Sequence, residues 1–76
     1  MKEQWKNISK NLLKSELIKK DVDYQQLSEL LLKIGVIENS SNINSKINRG
    51  SFSFIFFLQC MQAIKTNNVS LDIIKG

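Results

Sequence analysis

The 76-residue chain carries eleven basic side chains, ten of them lysine, against seven acidic ones, for a formal net charge of +4. It has no histidine, no proline, three glycines and one cysteine, which excludes imidazole catalysis, histidine-based metal sites, an internal disulfide and a loop-rich scaffold. Domains run to roughly 100–150 residues, so residues 1–76 read as a single domain, one that buries only about 60% of its unfolded surface.

The first segment, KEQWKNISKNLLKSELIKK, places Trp5, Ile8, Leu12, Leu13 and Leu17 at spacings that form one broad apolar face of a helix. Lys2, Lys6, Lys10 and Lys14 follow each other every four residues and form a second ridge. Like charges at that spacing repel by roughly 0.2–0.5 kcal/mol per pair. Two readings of the ridge stand: a solvated helix face, or a face turned toward phosphates.

A second helix is signalled by DVDYQQLSELLLKIGV. Asp23 is an N-cap, Gln26 completes a capping box, and Val22 with Leu27 forms a hydrophobic staple. Leu27, Leu30, Leu31 and Ile34 make the expected buried stripe, and Gly35 ends it in a left-handed conformation. A polar turn leads to a short third helix over about residues 40–49. Asn39, Ser40 or Ser41 caps it and Gly50 closes it. Only Ile43 and Ile47 are apolar in that helix, so its outward face consists of hydrogen-bonding groups.

The run SFSFIFFLQC admits a strand or a helix. Phe52, Phe54 and Phe56 alternate, but Ile55 and Phe57 break the alternation, and no other segment offers a strand partner. A helix capped by Ser51 or Ser53 therefore fits better, with Phe54, Phe57, Leu58, Met61 and Ile64 inward and Phe56, Cys60 and Ala63 widening that face. Its apolar circumference predicts the central, buried helix. The closing NNVSLDIIKG gives a fifth helix, capped by Ser70, with Leu71, Ile73 and Ile74 packing back. The expected fold is all-α, a compact bundle of about five helices.

Three phrases, QLSELLLKIGV, NSKINRG and AIKTNNVSLDII, stand in the order found in lambda-repressor-like (Cro/C1-type) helix-turn-helix domains, and the chain resembles that family from about Lys10 to Ile74. The early tryptophan and the RG-F pattern look closer still to a small bacterial family of uncharacterised function, itself thought to be repressor-like. The second helix and the turn after it are longer than the usual spacing. Tyr24, followed by Gln25, stands where the family often has a phosphate-binding glutamine, and Asn48 replaces the usual acidic residue. The resemblance implies a transcriptional regulator bound to double-stranded DNA.

On that reading the third helix enters the major groove. Ser40, Ser41, Asn42, Asn44 and Ser45 are the base-reading candidates, because serine and asparagine offer the donors and acceptors that base edges recognise. Lys46 and Arg49, with Tyr24 and Gln25 at the second helix's start, are the phosphate candidates. For Asn42 and Asn44 a solvated turn is the alternative, and for Arg49 complementation of the helix C-terminus. The other class of function is a non-enzymatic protein-interaction module, an antitoxin-like or phage or plasmid regulator partner. Phe52, Ile55 and Phe56 would then be a docking patch or a homodimer seam. No catalytic, metal or cofactor site and no small-molecule ligand is expected. Cys60, inside an apolar helix, reads as an inert thiol. No apolar run is long enough to span a bilayer, and a cytoplasmic setting is expected.

Overall fold

The computed structural model describes residues 2–72, and of Lys2 only the backbone. Within them the chain forms four helices and no strand: α1 (Lys2–Lys19), α2 (Tyr24–Lys33), α3 (Ser40–Arg49) and α4 (Phe54–Ala63). The helix ends follow from local chemistry. Asp23 accepts the backbone N–H of Gln26 at 2.8 Å, and Gln26 Oε1 accepts that of Asp23 at 2.9 Å, so the capping box starts α2. Asn39 caps α3, accepting from the N–H of Asn42 at 2.7 Å, and Ser53 caps α4, accepting from that of Phe56 at 3.0 Å.

Left-handed residues close all four helices: Asp21 (φ 56°), Gly35 (φ 84°), Gly50 (φ 73°) and Lys65 (φ 58°). After α1, α2 and α4 the next residue's N–H reaches back to the last turn, Val22 to Leu17, Val36 to Leu31 and Thr66 to Met61. That bond satisfies carbonyls the helix leaves open. Gly50 has a further constraint, since a Cβ there would lie 2.2 Å from the backbone carbonyl oxygen of Lys6. The end of α3 is thus pressed directly onto α1.

Residues 64–72 contain no helix and Leu71 is 59% exposed; Ser70 Oγ accepts the N–H of Asp72, as a cap does, but most of the fifth helix expected to start there lies outside the described residues. Asn67, Asn68 and Ser70 offer the backbone local partners that compete with helix, and only Val69 and Leu71 are apolar over 65–72. Ile73 and Ile74, expected to pack back, lie outside the described residues.

The core joins Leu13 and Leu17 of α1, Leu27 and Leu31 of α2, Ile43 and Ile47 of α3, and Phe56, Cys60, Met61, Ala63 and Ile64 in and after α4. Helix α2 packs against both α3 and α4, and α1 packs on α3. The helices shared between neighbours are therefore α2 and α3, not α4. Three expected inward residues face out: Trp5 is 57% exposed, Phe54 71% and Leu58 50%. Trp5 precedes Lys6, whose backbone meets Gly50, and its side chain stands on the open side of that contact. Ile34, expected in the α2 stripe, is the exposed C-cap instead. Glu16, in contrast, is buried on the core side of α1, its carboxylate 3.0 Å from Lys19 Nζ.

Candidate nucleic-acid interface

The first turns of α2 and α3 meet at one shallow groove of about 480 Å³, lined by Asp23, Tyr24, Gln25, Ser40, Ser41 and Asn44. Two neighbouring caps produce this convergence. Asp23 and Asn39 each absorb an N–H of their own helix, leaving the following side chains free to project from helix ends of positive potential. Tyr24 is half-buried, and that burial raises the pKa of its phenol, which stays a hydrogen-bond donor. The carboxylate of Asp23 is turned onto its own helix terminus.

On α3, the four-residue step from Asn44 to Asn48 is closed by a hydrogen bond from Asn48 Nδ2 to Asn44 Oδ1. An amide oxygen has two lone pairs, so Asn44 retains an acceptor site and both donors for a partner. Ser41, Asn44, Ser45 and Asn48 are three or four residues apart and share one exposed polar face. Asn42, also exposed, stands to one side of it with Lys46 and Arg49 by the same spacing.

The basic residues differ in what holds them. Lys46 Nζ is ion-paired with Glu38 and lies 4.9 Å from the centroid of the Phe56 ring. It is drawn down between the α2–α3 turn and α4, and its charge is already matched. Arg49 is exposed and has no carboxylate partner among the described residues. Beneath Lys46, Cys60 is fully buried, and its thiol pKa is pushed up to about 12 by burial and by Glu38, with Lys46 opposing. A thiol so held stays protonated and unreactive at neutral pH.

Asp23, singled out from the sequence only as a cap, is also a wall of the groove. Lys14 lines an adjoining cavity of about 310 Å³ that shares Asp23 and Tyr24 with the groove. The i,i+4 spacing of Asn44 and Asn48 was the available sign of their pairing.

The expected docking patch changes composition. Phe56 is only 4% exposed, and Phe52 is half-buried edge-on against it, with centroids 6.0 Å apart. Of the three residues only Ile55, 67% exposed, faces outward. The inward residues of α4 are Phe56, Cys60, Met61 and Ala63, continued by Ile64, and Phe54, Ile55 and Leu58 form the outer face. Phe54 stacks on Phe57 at 6.2 Å along that face.

A family model described as "Domain of unknown function (DUF6471)" matches residues 5–69. The chain belongs to that family. The DUF6471 match runs from Trp5 to Val69 and so takes in the whole groove and the outer face of α4. No curated protein and no solved structure matches the chain. Among its described residues no cluster of three or more histidine, cysteine or acidic side chains is placed to hold a metal, and no helix is long and apolar enough to cross a membrane.

Proposed function

We propose that this DUF6471 member is a small DNA-binding protein, a transcriptional regulator that sets α3 into the major groove of double-stranded DNA. The observation that carries the reading is the groove itself, which gathers Tyr24, Gln25, Ser40, Ser41 and Asn44 on one surface. Asn44, Ser41 and Ser45 read base edges, while Tyr24, Gln25 and Arg49 hold phosphates on either side. Lys46 positions α3 through Glu38 and Phe56 in place of contacting DNA. The resemblance of α2 and α3 to a repressor-like helix-turn-helix supports the same placement, and the +4 charge suits a polyanion.

The test starts with selection from random duplexes, followed by affinity measurement on the enriched sequence and on a scrambled one. Asn44→Ala is expected to cost roughly 1–3 kcal/mol on the enriched sequence and little on the scrambled one. Selection that enriches no motif, or an Asn44→Ala variant equally weakened on both duplexes, removes base reading by α3.

A second reading is favoured by one observation, the outer face of α4. Phe54, Ile55 and Leu58 are all at least half exposed on a chain of only 76 residues. That face suits a protein partner or a second copy of the chain. It is compatible with DNA binding, because paired half-sites are bound by two-fold dimers.

A further inference from the structure

We infer that α1 carries a second, phosphate-binding line, formed by Lys10 and Lys14 and continued by Lys6, which runs beside the polar face of α3 and grips the backbone of duplex DNA. This rests on the DNA-binding reading above and names the cations that would hold the backbone there. Three observations lead to it.

The first is placement. Lys14 shares a cavity with Tyr24, and Tyr24 shares the next with Asn44, so Lys14 and Asn44 lie on one continuous surface. At the far end, the contact of Gly50 with the Lys6 backbone holds the start of α1 against the end of α3. The lysines between these two points therefore lie along α3.

Charge is the second. The only ion pair of α1 among the described residues joins Glu16 to Lys19, and Lys6, Lys10 and Lys14 have no carboxylate partner there. They stack at four-residue steps, like charge over like, with no ion pair among the described residues to neutralise them. Asp23 and Glu3 are the acidic groups that border the line: Asp23 is committed to capping α2, and Glu3, three residues before Lys6, makes no ion pair with it. Lys46, which sequence alone put among the phosphate contacts, is neutralised by Glu38.

The third is scale. A helix with its side chains is about 10–12 Å across and fills a major groove about 12 Å wide. A neighbouring helix packs with its axis about 8–10 Å away, which puts it over the phosphate wall of the groove and not over the bases. Helix α1 is that neighbour of α3. Unpaired cations at that position meet the one part of duplex DNA that carries charge.

The experiment is a salt titration of binding to a random-sequence duplex, comparing the full chain with Lys10→Gln/Lys14→Gln and with Lys33→Gln/Lys65→Gln, two exposed lysines with no carboxylate partner among the described residues. The second variant removes the same two charges from outside the line, and a circular dichroism spectrum confirms that each variant is folded. Each phosphate contact contributes about 0.9 to the slope of log affinity against log salt, so the α1 variant is expected to lose about 1.8 of slope and the control almost none. Equal slopes for the α1 variant and the parent overturn the line while leaving DNA binding in place. Equal losses for both variants also overturn it, because charge would then act without regard to position. The expected slope loss without preference for any sequence upholds the line and removes base reading. No binding to any duplex at low salt overturns both.

Discussion

Helices α3 and α4 have the same length and the same kind of start, an extended cap residue whose side chain accepts an N–H from the first turn. Their compositions are opposite. In α3 two isoleucines are apolar, both are completely buried, and every other side chain is polar. In α4 nearly every side chain is apolar, yet Phe54, Ile55 and Leu58 face solvent beside the buried Phe56 and Cys60. With few apolar residues a helix has only one way to face the core. An excess leaves several, and neighbouring elements choose. The helix poor in apolar residues is the one whose outward side can be read as a polar recognition face, and the rich one leaves apolar surface uncovered.

The comparison breaks most visibly at Phe56. Its ring is buried, meets Phe52 edge-on and supports the Lys46 ammonium. Phe56→Ala is expected to cost about 3–5 kcal/mol, and Phe54→Ala, on the same helix, less than about 0.5 kcal/mol. A domain of this size has roughly 4–11 kcal/mol in all, at about 0.05–0.15 kcal/mol per residue, so the first variant stands near unfolding. Urea denaturation of the two variants decides it. Similar losses at both positions would mean that α4 has no distinct inner and outer sides.

A slightly smaller effect is expected where α3 ends. Gly50 and Gly35 both have positive φ, but only Gly50 faces a backbone carbonyl where its Cβ would be. Gly35→Ala meets nothing within 4 Å and incurs the left-handed strain alone, about 1–2 kcal/mol. Gly50→Ala adds overpacking of about 1–3 kcal/mol, for a total of roughly 2–5 kcal/mol. Thermal unfolding of the pair checks the difference. Gly50→Ala no worse than Gly35→Ala would show that α1 moves aside freely, and the line of lysines beside α3 would lose its anchor.

These positions also mark how far the sequence could be read. The cap at Asp23 and the stops at Gly35 and Gly50 were legible, because capping depends on a few neighbouring atoms, while the fold chooses Asn39 over Ser40 and Ser41, and Ser53 over Ser51. So were Ile43 and Ile47. The stops at Asp21 and Lys65 were not, since neither residue favours a left-handed backbone strongly enough to announce itself. The exposure of Trp5 and Leu58 depends on which helices lie opposite, a fact of tertiary packing. Sequence placed Tyr24, Gln25, Ser40, Ser41 and Asn44 among the candidates, and the fold brings them to one groove. The pairing of Lys46 with Glu38 lay hidden, since eight residues and a turn separate them. Lys14 was visible only as one member of a ridge, with no indication of what lay beside it.

The smallest expected change in stability belongs to the outer face of α4, and there a different measurement carries the information. Phe54→Ser/Leu58→Ser removes two side chains that are at least half exposed, so each site is expected to shift stability by less than about 0.5 kcal/mol. If that face joins two copies, the parent chain sediments as a dimer at high micromolar concentration and the double serine variant as a monomer of unchanged helicity. Binding to a duplex carrying paired half-sites would weaken with it, because each copy would then bind alone, while binding to a single half-site would stay the same. A parent chain that is monomeric both free and on paired half-sites removes the dimer. The exposed phenylalanine, isoleucine and leucine would then be the ordinary apolar share of a small protein's surface, too large to bury within four short helices.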